Sequence, residues 1–332
     1  MKACTVDAQQ PGFLNRGTRA LDLGEYHIVI IIPAYNEERF IGSIVLNLKD
    51  YPVDVVLIND GSTDKTSKIA QKAGAIVYDR PKNGGKGAAL DFGFKVARKM
   101  QPDAVVVIDA DGQHLPAELP QVLEPILTQH ADICVGSRYL IRTSHIPIHR
   151  RWGHKIINLA TSIPSGVTLS DSQCGFRAFS PQAFNQLHFM SDDFTVESEM
   201  QFLANEHNLK MVEVPITILY QDHAKRSAVK QGMVVLNGLF RLISQYRPLL
   251  FFTLIGGTLF GSGIGIGLIV IGIYMRTQEL ALGYALVTLL LCMVGMILFS
   301  TGVILHALRI WLHQFFEKQN RKRKRKRKRK RK

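Results

Sequence analysis

The chain has 332 residues, 46% of them hydrophobic, which excludes wholesale disorder. Its formal charge of +14 reflects 41 basic against 27 acidic side chains, but residues 321–332 alternate Arg and Lys and hold twelve of the basic ones. The rest is nearly neutral, which excludes a domain that spreads positive charge over a folded face to bind nucleic acid, and no nucleic-acid partner is expected.

Residues 1–25 are polar, lack the apolar segment of a signal peptide, and read as an extension ahead of a domain at 26–228. Six apolar runs have the length and β-branched content of buried strands: 27–32, 53–58, 75–78, 104–108, 133–135 and 211–214. Between them, 37–48, 64–73 and 86–100 place apolar residues at helical spacing, with Ser62 and Thr63 as caps for the second. This alternation predicts an α/β domain with a mostly parallel sheet, which binds ligands beyond the carboxyl ends of its strands.

The residues after each strand are therefore the informative ones. The first strand runs into Pro33-Ala34-Tyr35-Asn36-Glu37 and the second into Asn59-Asp60-Gly61-Ser62, both polar and carboxylate-bearing. The second also suits a simple turn into a capped helix. Lys82-Asn83-Gly84-Gly85-Lys86-Gly87 opens the third helix. It is not a Walker A loop, because position 80 is Arg and Gly87 stands where Ser or Thr would hold magnesium, but its backbone could cradle an anion.

After the fourth strand comes Asp109-Ala110-Asp111-Gly112-Gln113-His114. Two carboxylates one residue apart and an amide oxygen offer hard ligands for a divalent cation whose other positions a diphosphate could fill. Without a metal the two acids would repel each other and an anionic substrate. The fifth strand ends in Gly136-Ser137-Arg138-Tyr139, and a basic run follows from Arg142 through Arg150 and Arg151 to Lys155. Arginine suits bidentate recognition of phosphate, against the plainer reading of a solvated helix face. Asp171-Ser172-Gln173-Cys174-Gly175-Phe176-Arg177 then precedes a helical region whose Glu197 and Glu199 read equally as caps or as surface charges. The four cysteines are widely spaced and suggest neither a zinc site nor a disulfide framework.

Residues 229–247 carry Val229, Met233, Leu236, Phe240 and Ile243 at helical spacing, which predicts an amphipathic helix in a membrane interface. Residues 249–275 and 280–305 are uncharged and each long enough to span a bilayer. With only Arg276-Thr277-Gln278-Glu279 between them they predict an antiparallel transmembrane hairpin at 248–308. Arg241, Arg247, Arg309 and Lys318 flank it, so both termini and the domain are expected in the cytoplasm of a cell or endoplasmic-reticulum membrane. Gly257, Gly261 and Gly265 repeat every fourth residue, with Gly263 and Gly267 beside them, a pattern that lets another helix approach and would suit a homo-oligomer. Residues 309–332 form the basic tail, expected on anionic headgroups.

Taken in order, the Pro33–Glu37, Asn59–Ser62, Asp109–Asp111, Gly136–Tyr139 and Asp171–Arg177 segments resemble glycosyltransferase family 2, most closely its polyprenyl- and dolichyl-phosphate hexose synthases. The resemblance covers roughly 27–230 and implies a Rossmann-like GT-A fold, a nucleotide-sugar donor such as GDP-mannose or a UDP-hexose, and a polyprenyl or dolichyl phosphate acceptor. It further implies that Pro33, Tyr35, Glu37, Ile58, Asp60, Lys86 and Arg138 serve donor binding, and that Asp109, Ala110, Asp111 and Gln113 hold the diphosphate through Mg²⁺ or Mn²⁺. Arg138 and Arg151 would clamp the lipid phosphate, and Asp171 would join the catalytic set. The family's R-x-x-G-x-S-K segment is replaced here by Asp222-His223-Ala224-Lys225-Arg226-Ser227-Ala228-Val229-Lys230, so neither Lys225 nor Lys230 receives a donor contact.

A phosphate acceptor, anionic at neutral pH, needs little general-base help, whereas a hydroxyl acceptor would recruit Asp171 or Glu197. A processive polysaccharide synthase would carry Q-x-x-R-W; Arg151-Trp152 is present, but position 148 is Ile. A silent membrane adaptor with a basic tail is the alternative of another class, opposed by the intact Asp109, Asp111 and Gln113.

Overall fold

The computed structural model describes residues 22–140, 148–191, 195–219 and 228–329. Contacts divide the chain into two units, 1–239 and 240–332. The first is built on a seven-stranded sheet of β1 (Ile28–Ala34), β2 (Asp54–Asn59), β3 (Ile76–Asp79), β4 (Ala104–Val107), β5 (Ile133–Ser137), β6 (Arg177–Phe179) and β7 (Met211–Pro215), in the order β3-β2-β1-β4-β6-β5-β7. Every residue of β1, β4, β5 and β6 is buried, as expected of strands covered on both faces.

Six strands lie where the apolar runs predict them. β6 does not, and it is antiparallel to both neighbours, with Arg177 opposite Val107 and Val135. The other pairs are parallel. Three residues headed by an arginine carry no readable strand pattern. Arg177 is 1% exposed even so, because its guanidinium donates to the carbonyls of Ser172, Cys174 and Glu197 at 2.7, 2.8 and 3.2 Å.

The helices of this unit are α1 (Ile41–Leu48), α2 (Thr66–Lys72), α3 (Lys86–Met100), α4 (Leu119–Leu127), α5 (Ile148–Ser165), α6 (Pro181–Gln186) and α7 (Val196–Glu206). α1 starts four residues later than expected, because Glu37 to Phe40 form a turn closed by Phe40 N–H on the Glu37 carbonyl. Ser62 and Thr63 do not cap α2. Lys65 stands at the cap position, and Asp64 before it accepts from the Thr66 N–H at 3.0 Å and its hydroxyl at 2.5 Å. Ser62 Oγ instead accepts from Asn36 N–H, and Asn36 Oδ1 from Thr63 N–H, which ties the loops after β1 and β2 together.

Cys134 and Cys174 are buried free thiols, as is the half-buried Cys292, and burial pushes the Cys174 thiol up to about 12. Cys4 lies outside the described residues.

α8 (Ala228–Tyr246) runs from the first unit into the second. Of the predicted apolar stripe, Phe240 is exposed and Ile243 half-buried, while the buried positions are Leu239 and Leu242. The side chains of Val229, Met233 and Leu236 lie outside the described residues. α9 (Pro248–Thr277) and α10 (Leu282–Arg329) form the second unit. α9 and residues Leu282–Leu312 of α10 are 30 and 31 residues long and apolar enough to cross a membrane. At ~1.5 Å per residue either exceeds a ~30 Å hydrocarbon core.

The two helices pack through Gly256 and Gly263 of α9 and Gly295 of α10, where an added Cβ would meet the opposite helix. Gly257, Gly261 and Gly265 are not used there and have nothing within 4 Å. The basic tail is a continuation of α10 as far as Arg329, not a separate segment.

Candidate active site

The loops beyond β1, β2, β4 and β5 hold the predicted residues. Pro33 and Ala34 end β1, Tyr35 is 39% exposed beyond it, and the Glu37 N–H is fixed by Thr66 Oγ1 at 2.8 Å. Ile58 is buried in β2. Asp60 is buried as well, and its carboxylate accepts from the Arg80 guanidinium and from the N–H groups of Gly84 and Gly85 at 2.8–3.1 Å. The glycine loop expected to cradle a foreign anion therefore wraps an internal one, and Asp60 is the group that shapes it.

That loop delivers Lys86 to the end of β4. Its Nζ lies 2.6 Å from Asp109 Oδ1 and 2.6 Å from Glu197 Oε1, while His114 Nε2 stands 3.9 Å from Asp109 Oδ2. Asp111 Oδ1 accepts from the Gln113 N–H at 3.0 Å, across a turn in which Gly112 has φ +74°. That left-handed backbone suits glycine, and a Cβ there would also press on the Phe40 ring. Ala110 is buried between the two acids, and Gln113 is half-buried. Gly175 packs directly on the Asp109 carboxylate, with which a side chain would collide.

The electrostatics are uneven. Burial by itself would raise the Asp109 pKa, but Lys86 and His114 overcome that and hold it well below the usual carboxylate range. Burial, and then the charge of Asp109, push Asp111 up. Lys86 is lowered by burial yet raised further by its two carboxylates, so it stays charged. Glu197 is raised by burial, which Lys86 only partly offsets.

Glu197 and Glu199 are thus not surface charges: they are 3% and 0% exposed. Glu199 accepts from the N–H groups of Met190 and Ser191 at 2.9 Å and pins the approach to α7.

At the end of β5, Arg138 donates through Nε to Asp171 Oδ2 at 2.5 Å and through its backbone N–H at 3.3 Å. Asp171 is fully buried. Behind it Glu213 of β7 accepts from Ser170 N–H at 2.8–2.9 Å, Ser170 Oγ at 3.0 Å and Asp171 N–H at 3.0 Å. The segment from Asp171 to Gly175 therefore holds Arg138 at one end and backs Asp109 at the other, so the arginine and the acid pair belong to one site. The side chains of Arg151 and Lys230, and the whole of Arg142 and Lys225, lie outside the described residues.

A divalent cation fits this donor set. Asp109 and Asp111 are hard oxygen donors one residue apart, and a cation between them would offset both the burial and the like charge that push Asp111 up. Among the described residues no group of three or more His, Cys, Asp or Glu is placed to hold a metal.

Residues 29–188 match the profile described as Glycosyl transferase family 2. The chain is 31% identical over 219 residues to the UDP-N-acetylglucosamine–dolichyl-phosphate N-acetylglucosaminyltransferase of Methanococcus voltae, covering 59% of this chain and 87% of that one. The chain belongs to glycosyltransferase family 2. Another relative of this family 2 enzyme is the undecaprenyl-phosphate mannosyltransferase of Micrococcus luteus, 29% identical over 224 residues, covering 63% of this chain and 91% of the relative. Glucosyl-3-phosphoglycerate synthase from Mycobacterium tuberculosis, solved with Mn²⁺, UDP and glucosyl-3-phosphoglycerate, superposes with a TM-score of 0.56 at 20% identity, over 69% of this chain and 85% of that one. The agreement is in the GT-A fold.

Sequence reasoning about this glycosyltransferase missed three groups: Glu197 as partner of Lys86, Glu213 behind Asp171, and Arg177 as a buried brace. Glu197 and Glu213 meet their partners only through tertiary structure, Glu213 from 42–43 positions away, whereas Arg177 braces mainly against Ser172 and Cys174 nearby in the chain. The one local signal was an acid inside the apolar run 211–214.

Proposed function

We propose that this protein is a membrane-anchored inverting glycosyltransferase that moves a hexose from a nucleotide sugar to a polyprenyl phosphate. The observation that carries this reading is that both acids able to serve a hydroxyl acceptor as base are committed to cations, Asp171 to Arg138 and Glu197 to Lys86. A phosphate monoester needs no base, because its oxygen is already anionic at neutral pH (second pKa ~6). The names of the Methanococcus and Micrococcus relatives, each a transferase to a polyprenyl-type phosphate, support the same acceptor class.

In this reading Tyr35, Glu37 and the loop shaped by Asp60 receive the nucleotide, with Pro33 and Ile58 forming the floor beneath it. Asp109, Asp111 and Gln113 hold Mg²⁺ or Mn²⁺, which when bound supplies positive charge to the departing nucleoside diphosphate. Arg138, oriented by Asp171, presents a fixed fork to the acceptor phosphate, and Arg151 is placed in the same role. Attack from the side opposite the leaving group inverts the anomeric centre. α9 and α10 hold the enzyme at the bilayer with both flanks in the cytoplasm, the basic end of α10 on anionic headgroups and the Gly257, Gly261 and Gly265 face open to a second copy.

The test is incubation of membranes carrying the enzyme with radiolabelled GDP-mannose, UDP-glucose or UDP-N-acetylglucosamine and polyprenyl phosphate. Label is expected in the organic phase with one donor, sensitive to EDTA. Absence of lipid-borne label with every donor, beside transfer to a soluble hydroxyl acceptor, would overturn the reading.

A further inference from the structure

The ammonium of Lys86 occupies a position with an obvious competitor. It sits 2.6 Å from an oxygen of Asp109, one of the two acids assigned to the metal, and 2.6 Å from Glu197, which is not. Its side chain is 12% exposed and that of Glu197 4%, so neither water nor salt shields the pair well. Asp109 and Glu197 share this one ammonium, Asp111 feels the charge of Asp109, and Arg177 adds its charge to Glu197 while its donors go to backbone carbonyls. Among the described residues Lys86 is the cation nearest Asp109 in the site without ligand, with His114 at 3.9 Å. A divalent ion arriving on Asp109 and Asp111 takes over that neutralisation and repels the ammonium. Glu197 gives the ammonium a second partner, so Lys86 leaves Asp109 without being stranded as an unpaired buried charge.

We propose that Lys86 is a resident counter-ion exchanged for the divalent metal: it neutralises Asp109 in the empty site and, held by Glu197, is released toward the donor diphosphate when the metal enters. The inference rests on the metal reading of Asp109 and Asp111 given above and adds an order to it. Metal alone must displace an ammonium and binds weakly. Metal with a nucleoside diphosphate binds well, because the displaced ammonium then has an anion to meet.

Binding of Mn²⁺ alone to the full-length protein in detergent, read by the loss of the free-ion electron paramagnetic resonance signal, tests this without turnover. Lys86→Met is expected to bind Mn²⁺ about fivefold or more tightly than the unaltered protein, and to lose most of the further tightening that UDP or GDP brings. Glu197→Gln confines Lys86 to Asp109 and is expected to weaken Mn²⁺ binding about threefold. Both changes should persist in 0.5 M KCl, since screening by salt removes surface effects and spares buried ones.

Unchanged or weaker Mn²⁺ binding by a folded Lys86→Met protein overturns the exchange, as does tighter binding by Glu197→Gln, which decides alone should the first variant fail to fold. If the unaltered protein binds no Mn²⁺ with or without nucleotide, the exchange falls with the metal site. Transfer to lipid phosphate is judged separately by the labelling assay.

Discussion

Two buried charged clusters meet in this site, and they are built on different principles. At the end of β4 one ammonium serves two carboxylates, and a third acid, Asp111, is pushed up by burial and then by the charge of Asp109. At the end of β5 one guanidinium meets one carboxylate, and the backbone beneath them is nailed down by Glu213. In the proposed function the first arrangement takes the added cation, while the second, braced by Glu213, orients an arginine for an anion. A transferase that brings two phosphorylated substrates together needs both, since a uniformly basic site would bind them without neutralising the leaving group selectively.

The sharpest break of this comparison is Asp111→Asn. It removes charge from the first cluster and is expected to lower transfer by ~10³-fold. It should also leave the melting temperature unchanged or raised, because a like-charge contact is relieved. Transfer assays beside thermal unfolding check both halves, and a fall in stability would show that Asp111 is a structural acid.

Next in size is Arg138→Lys, which keeps the charge of the second cluster but loses the planar fork. Efficiency toward the lipid phosphate should fall ~10²-fold, with donor affinity little changed. Equal loss for donor and acceptor would remove the distinction between the two clusters.

Glu213→Gln acts one layer further back and should raise the acceptor KM ~10-fold through Asp171 and Arg138. It also carries a pH signature. Burial raises the Glu213 pKa in the folded state, and the bonds from Ser170 and Asp171 offset this only in part. The folded protein therefore binds the proton more tightly than the unfolded chain. Its contribution to stability is complete below the unfolded value of ~4.3 and declines as pH rises through the folded one. In the Gln variant that part of the decline in melting temperature above pH 4 should be absent.

The smallest effect on transfer is expected from truncation after Asn320. Membrane retention should persist through α9 and α10, while binding to anionic vesicles at low salt weakens by up to ~1 kcal/mol per residue lost. Unchanged vesicle binding at every salt concentration would leave the tail without a role at the lipid surface.

Much of this site is written locally. Four of the five loop motifs stand at the ends of runs such as Ile28–Ala34 and Ala104–Val107, whose uninterrupted burial makes them readable as strands. Asp109, Asp111 and Arg138 follow from their positions at the ends of those strands. What could not be read is what neutralises them. An acid at the start of a helix, as Glu197 and Glu199 are, is ordinarily a solvated dipole partner, and only the packing of α7 buries both. β6 escapes notice for a related reason: three residues give no periodicity, and a leading arginine reads as surface until its carbonyl partners are known. Asp60 shows the converse, since its motif was legible while its attachment to Gly84 and Gly85 was not.

β6 has one more consequence, concerning where this scaffold can be lengthened. Because it runs against β4 and β5, its first residue lies beside Val107 and Val135 at the catalytic rim, while Phe179 lies beside Val105 and Ile133 toward the far edge, where Ser180 donates its N–H to the Asp132 carbonyl. The short chain on either side of this strand therefore tolerates change unequally. A residue inserted between Asp171 and Arg177 shifts the support of both clusters at once, whereas one inserted after Ser180 acts at the other end of the strand, where it parts Ser180 from α6, the helix it caps through the Ala183 N–H.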